Sequence, residues 1–379
     1  MIFNWVGFIS VFFLIGLAYF FLKNRHQNAG SNLYLGLLFL VQAFSNLHFF
    51  VFRLSDFIVH IPYFIHFSAG FRFLWGPLLY FFVQTYTGKR IHYQGKAYLH
   101  FLPAAIATIF FYGKLFFIPP SEIMAYIQLI KADKHPINRP YHLLLYFSNV
   151  SYLVACLVEL LKYRLALTTY FSNIEKIRLV WLFNTLLFLV IFHFILPLGY
   201  GLISIKFFPF VPFMQLPILS FVAWKAYHQP ELFQTLESFS EVMHREEKTN
   251  SSDENKIIVG LPMPDDDFIV KLNSLMESDK PYLNPELTIK TLADSLSIQS
   301  YQLSKTLNQH FQKNFFDFVN TYRVEEAKRK LIAQEYQHLT LEGIGYECGF
   351  NSKSSFYAVF KKYVQQTPAE YRKEMLLEN

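Results

Sequence analysis

Charge is scarce in this 379-residue chain: Asp, Glu, Lys and Arg make up 16% of it, against roughly 25% in an ordinary soluble protein. The scarcity is local. Residues 1–228 hold 17 Lys and Arg with 5 Asp and Glu, residues 229–267 hold 3 and 10, and residues 268–379 hold 14 and 13. The net charges are +12, −7 and +1, within a formal total of +6. A single soluble globule is excluded. Cysteine is scarcer still. Cys156 and Cys348 lie in different regions, which excludes a disulfide scaffold; both read as buried small apolar residues. Carboxylates are missing from the depth of the apolar segments, where a proton- or cation-coupled transporter usually needs them. The sequence contains no H-E-x-x-H, G-x-S-x-G or Walker loop, which argues against a membrane enzyme. It shows no histidine-kinase or receiver pattern, and neither a cofactor nor a metal is expected.

Long apolar runs fill the first part. A helix needs about 20 such residues to cross roughly 30 Å of hydrocarbon. Seven segments qualify: 2–22, 32–52, 61–87, 97–118, 141–161, 179–203 and 207–227. The first lacks the basic start and small-residue cleavage site of a signal peptide. Lys23, Arg25, Lys89, Arg90, Lys96, Lys162, Arg164, Lys176 and Arg178 follow the odd spans, and five basic residues follow the even ones. The positive-inside bias then places the N-terminus outside and everything after Tyr227 in the cytoplasm. A bacterial inner membrane is the expected location.

Arg72, eleven residues into the third segment, is a candidate functional charge. An interfacial arginine with a snorkelling stem is the other reading. With His66 and His193 it makes a candidate site for a small-molecule signal. Gln42, Asn46, His48, Asn149 and Asn184, with His66 and His193, could line a ligand cavity, but each alone is more often an interhelical hydrogen bond. Gly76-Pro77 is expected to kink its span.

Residues 229–267 form an acidic connector. Leu232, Leu236, Phe239 and Met243 give a short apolar stripe. It suits a juxtamembrane helix that pairs in a homodimer or packs on its own chain. Residues 246–267 read as a flexible tether, with Asp265-Asp266-Asp267 favouring the start of the next helix.

From Phe268 the periodicity becomes that of short amphipathic helices. Residues 287–296 place Leu292, Ala293 and Leu296 inward, and 299–311 place Leu303 and Leu307 inward after a break at Ser297. That is helix-turn-helix spacing. A long helix is expected over 315–334. The pattern then returns, with Ile344 and Gly345 placed like Leu292 and Ala293, a turn at Gly349-Phe350, and Phe356 and Phe360 placed like Leu303 and Leu307. The expected fold is all-α: a seven-helix transmembrane bundle over 1–228, a connector over 229–267, and a two-unit helix-turn-helix domain of about seven helices over 268–379.

Several blocks carry a resemblance: Leu287-Thr288-Ile289-Lys290-Thr291-Leu292-Ala293, Tyr322-Arg323-Val324-Glu325-Glu326-Ala327-Lys328, Gly349-Phe350-Asn351-Ser352-Lys353-Ser354-Ser355-Phe356, Phe360-Lys361-Lys362-Tyr363 and Thr367-Pro368-Ala369-Glu370-Tyr371-Arg372. Over 268–375 the chain resembles the DNA-binding domain of the AraC/XylS family of bacterial transcriptional regulators. The apolar half resembles a membrane-bound subgroup by architecture alone. The resemblance implies two successive major-groove contacts on double-stranded DNA. It assigns base reading to Gln299, Ser300, Tyr301, Ser304 and Lys305 in the first unit, and to Asn351, Ser352, Lys353, Ser354 and Tyr357 in the second. Their chemistry fits: Lys donates to guanine, Gln and Asn to adenine, and Ser to either. Lys361, Lys362 and Arg372 suit phosphate, where contacts position without specifying.

Three departures from the family, at four positions, matter. Gln312 and Gln365 stand where glycine is usual after each recognition helix, so a left-handed turn there carries strain. Ala358 replaces a common Arg. Gly345 replaces a usual Ala and costs its helix about 1 kcal/mol. The sequence thus points to a membrane-bound regulator that couples a signal to transcription. The alternative is a transporter or channel with a cytoplasmic protein-docking module.

Overall fold

Apolar residues at helical spacing become helices throughout, and no strand forms among the described residues. The structure, a computed structural model, describes residues 2–24, 29–54, 58, 60–89, 91, 95–132, 134–175, 177–202, 211–228 and 266–378. The chain divides into two compact units. One comprises Met1–Leu161 and Val180–Glu241, the other Lys162–Leu179 and Val242–Asn379. The connector over 229–265 lies outside the described residues.

The first unit contains α1 (Ile2–Lys23), α2 (Ala29–Phe49), α3 (Trp75–Tyr86), α4 (Leu102–Phe116), α5 (Ile123–Lys131), most of α6 (Asn138–Tyr170), α7 (Val180–Leu202) and α8 (Val211–Tyr227). Among the described residues, three helical stretches rather than seven are long and apolar enough to cross a membrane: Gly30–Phe52, Ala97–Phe116 and Asn138–Tyr170. Shorter apolar stretches are Phe8–Lys23 and Val180–Phe192. The expected third span fails for a local reason. Pro62–His66 and Phe71–Leu74 are 3-10 turns, and only the 12 residues of α3 are α-helical. At 1.5 Å per residue, α3 reaches about 18 Å, short of the hydrocarbon core. Gly76-Pro77 does not kink a span. The pair sits in the first turn of α3, where a missing N–H leaves no bond unmade.

Several polar side chains inside this unit find partners, while Asn149 Oδ1 is buried without one. His48 donates from Nε2 to the Ile65 carbonyl at 2.9 Å and accepts from Ser68 Oγ at Nδ1, also 2.9 Å. The Gln42 amide donates to Asn46 Oδ1 at 3.0 Å and to Gln215 Oε1 at 2.7 Å. Asn46 reaches Ser10 Oγ at 3.4 Å. Cys156 and Cys348 are both buried.

The second unit contains α9 (Asp266–Ser278), α10 (Ile289–Ser295), α11 (Ser300–Gln309), α12 (Phe315–Ile332), α13 (Leu341–Glu347), α14 (Lys353–Val364) and α15 (Pro368–Glu378). Short polar residues start five of them. Thr288, Asn314, Thr340 and Ser352 each accept from a backbone N–H in the first turn. Thr367 and Glu370 close a reciprocal pair before α15. Glu370 accepts from the Thr367 N–H at 2.8 Å, and the Glu370 N–H donates to Thr367 Oγ1 at 3.3 Å.

Two helix pairs share α12. Leu292, Ala293, Leu303 and Leu307 are fully buried in the first. In the second, Ile344, Cys348, Phe350, Phe356 and Phe360 pack with Val324, Ala327 and Leu331 of α12. The strained turns expected from sequence are present: Gln312 has φ 51 and Gln365 has φ 65. Gly345 has a packing reason. A Cβ there would lie 2.8 Å from the Phe356 ring, so the phenylalanine takes the space an alanine would fill.

Candidate DNA interface

Each pair presents its second helix. On α11, Leu303, Thr306 and Leu307 face the core. Gln299 and Tyr301 are exposed, while Ser300, Ser304 and Lys305 are half-buried along the outer side. Gln299 is the N-cap, and its backbone N–H is held by Gln302 Oε1 at 3.1 Å. On α14, Phe356, Val359 and Phe360 face inward. Lys353 and Ser354 are exposed, and Asn351, Ser352 and Tyr357 are half-buried. The Lys353 ammonium lies 5.8 Å from the Tyr357 ring centre, so the two side chains form one surface. The candidate base-reading residues therefore fall into two clusters, one over the cap and first two turns of each second helix. Backbone N–H groups point outward at such ends and favour anions.

The turns differ in length. Ser297, with φ 58, and Gly349, with φ 86, occupy matching places. The α11 cap follows two residues after Ser297, and the α14 cap, Ser352, follows three after Gly349. Gly349 is required twice over, by its left-handed φ and by crowding. A Cβ would lie 2.4 Å from the Tyr282 carbonyl oxygen, 2.9 Å from that of Leu283, and 3.0 Å from Arg323 Nε.

The phosphate candidates divide. Lys361 is exposed. Lys362 is paired with Asp317 at 2.6 Å, and Tyr363 donates to the same carboxylate at 2.8 Å, which ties α14 to the first turn of α12. Arg372 makes a long bond to the Gln337 carbonyl at 3.5 Å. Among the signal candidates, His66 is buried and bonded to the Tyr126 hydroxyl at 2.7 Å. Arg72 is half-buried and interacts with Tyr141. His193 lies on α7, with its side chain outside the described residues. A small apolar pocket in the first unit is lined by Leu38, Gln42, Trp75, Phe82, Leu186 and Gln215 among others, and by neither Arg72 nor His66.

Three residues escaped the sequence reading. Arg323 is fully buried, and burial pushes its guanidinium down to about 10. It donates to the carbonyls of Tyr282 at 2.7 Å, Asn284 at 2.9 Å and Ser172 at 3.0 Å, and to Ser172 Oγ at 3.0 Å. Ser172 belongs to the loop after α6, and its hydroxyl donates to the Leu287 carbonyl at 2.7 Å. Three residues on, the Glu175 carboxylate accepts from Ser352 Oγ and Ser354 Oγ. Arg323 was visible as part of a motif but without a role. Ser172 and Glu175 lie in a loop whose basic residues spoke only of topology.

Two helix-turn-helix pairs on one connecting helix make a nucleic-acid-binding module. The comparisons agree for this part of the chain. Residues 292–374 match the family model of a helix-turn-helix domain. Over 102 residues the chain is 30% identical to an HTH-type transcriptional regulator of Staphylococcus aureus, covering 27% of this chain and 13% of that protein. Over 90 residues it is 34% identical to the HTH-type transcriptional regulator YpdC of Escherichia coli, covering 24% and 30%. A response regulatory protein of Staphylococcus epidermidis is 26% identical over 109 residues, covering 29% and 41%. The chain thus spans between 13% and 41% of the length of these relatives. A solved structure from Listeria innocua aligns with a TM-score of 0.25 and 28% identity, covering 28% of this chain and 94% of that one.

Proposed function

We propose that the chain is a membrane-embedded, sequence-specific transcriptional regulator of the AraC type. The observation that carries this reading is the pair of polar clusters at the starts of α11 and α14, held by a shared α12 inside a domain similar to HTH-type regulators. Lys305 and Lys353 supply guanine donors, Gln299 and Asn351 suit adenine, and Lys361 meets phosphate. The domain's own charge is near zero, so affinity rests on local placement more than on overall attraction.

Membrane embedding draws support from exposure. On α4 and α6, Ile109 is 73% exposed, Leu144 65% and Phe147 62%. Apolar surface in such continuous runs calls for lipid or a partner helix. In our reading this unit lies in a bacterial inner membrane with the DNA-binding domain on the cytoplasmic side. A small molecule at the first unit is the signal, and a homodimer raises occupancy at paired sites.

The test is genomic footprinting of the full chain, with and without candidate small molecules. Discrete footprints that change with one of them are expected. A chain that protects no specific sequence refutes the proposal.

A further inference from the structure

The loop after α6 does more than connect helices. Phe171 pairs with Thr288 in a lone antiparallel bridge. Ser172 bonds to Leu287 through both its N–H and its hydroxyl, and receives two bonds from Arg323. One residue thereby touches the lead-in to the first helix-turn-helix pair and the helix that both pairs share. Glu175 then reaches the second pair, accepting from Ser352 and Ser354 at the start of α14. The loop is braced from behind. Tyr163 donates to the Ile177 carbonyl at 2.8 Å, and Arg164 donates to those of Arg178 at 3.0 Å and Leu179 at 3.3 Å.

Ser352 and Ser354 are residues that the functional reading above assigns to DNA. A carboxylate resembles a phosphate in charge and in its pair of accepting oxygens. At the N-terminus of α14 it takes the same hydroxyl donors and the same favourable dipole. Duplex DNA and Glu175 cannot share that place, because both would claim the same hydroxyl protons and two anions would repel. The asymmetry of the contact suits a switch. Ser172 is buried at 1% exposure and anchors the loop, whereas Glu175 is exposed and open to competition. The anchored state also stores strain: Leu179 sits at φ 51, and the Asn173 side-chain nitrogen is buried without an acceptor.

We propose that residues 171–175 form an autoinhibitory clasp. Their intended partner is this chain's own DNA-binding domain, with Glu175 standing in for a DNA phosphate until release. The clasp rests on the DNA-binding reading. It adds that signal and DNA both act on one loop, since whatever lifts the loop frees the second recognition helix.

The experiment uses the full chain in detergent and an operator selected from a random-sequence pool. Glu175→Ala is compared with wild type and with Glu277→Ala, which removes one exposed carboxylate on α9. We expect Glu175→Ala to tighten operator binding three- to tenfold, with the gain in protection confined to the segment read by α14. Glu277→Ala is expected to change affinity less than twofold. Hydrogen exchange over 171–179 is expected to speed up when operator is added. Equal affinities for Glu175→Ala and wild type, or a loop that keeps its protection while DNA covers α14, overturn the clasp. A specific footprint from none of the three proteins overturns the DNA-binding reading itself, and the clasp with it.

Discussion

Replacing Gly349 by alanine tests how the two helix-turn-helix pairs are joined. The new Cβ would meet two carbonyl oxygens, at 2.4 Å and 2.9 Å, and Arg323 Nε at 3.0 Å. Backbone oxygens give way less readily than side-chain tips. Overpacking of this kind costs about 1–3 kcal/mol. The left-handed φ of 86 adds about 1–2 kcal/mol for a residue with a Cβ. Together they predict a loss of about 2–5 kcal/mol, a large share of the roughly 5–15 kcal/mol that holds a domain folded. Two other glycines calibrate the result. Gly345→Ala gains about 1 kcal/mol of helix propensity but meets the Phe356 ring at 2.8 Å, so a smaller net loss is expected. Gly343→Ala meets only Thr340 Oγ1 at 3.3 Å and Leu339 beyond it, and is expected to be neutral or to stabilise by up to about 1 kcal/mol. Hydrogen exchange by mass spectrometry on the detergent-solubilised chain reads opening free energies for α12 to α14 directly. If Gly349→Ala keeps those values within about 1 kcal/mol of wild type, the coupling through Tyr282 and Arg323 is wrong.

Lys305→Ala should change the preferred base in one half of the operator, whereas Lys361→Ala should weaken all DNA alike and flatten the salt slope; binding to a randomised library at several salt concentrations separates them, and uniform losses in both would remove Lys305 from base reading. Arg323→Ala strands the carbonyls of Tyr282 and Ser172 in the interior and should cost at least about 3 kcal/mol by the same exchange measurement, with Arg323→Lys rescuing only part, because an ammonium lacks the fork that meets four acceptors. The Glu370 carboxyl lies below its usual range because it accepts from the Thr367 N–H and hydroxyl. A lowered carboxylate pKa means the folded state binds that proton less well, so the stabilisation of α15 is full above the ordinary glutamate pKa and is lost as pH falls through the lowered value. Thr367→Ala should remove about 1 kcal/mol from α15 together with most of that acid sensitivity.

Much of the DNA-binding domain was legible because its determinants are local. Apolar spacing marks its helices, and short polar residues next to them, Asn314, Thr340 and Ser352, cap them in the structure. The repeat that aligned Leu303 with Phe356 places both rings and chains in matching cores. The apolar half was harder to read. A hydropathy window counts residues and is blind to the 3-10 turns at Pro62–His66 and Phe71–Leu74, so it joined them to α3 as one span. Pairings over long separations were also hidden. Lys362 looked like a free cation until Asp317, 45 positions away, was found beside it. Glu175 and Ser354 are 179 positions apart, and nothing in either neighbourhood advertises the other.

The extra residue in the second turn gives the molecule a direction. A symmetric dimer on a palindrome meets the same sequence from either end. Here the two pairs are unequal in turn length and in the residues they present, so a single chain laid along a duplex has a leading unit and a trailing one. Reversing the operator would hand each unit the other's text. Under the proposed function, one copy is then expected to tell upstream from downstream.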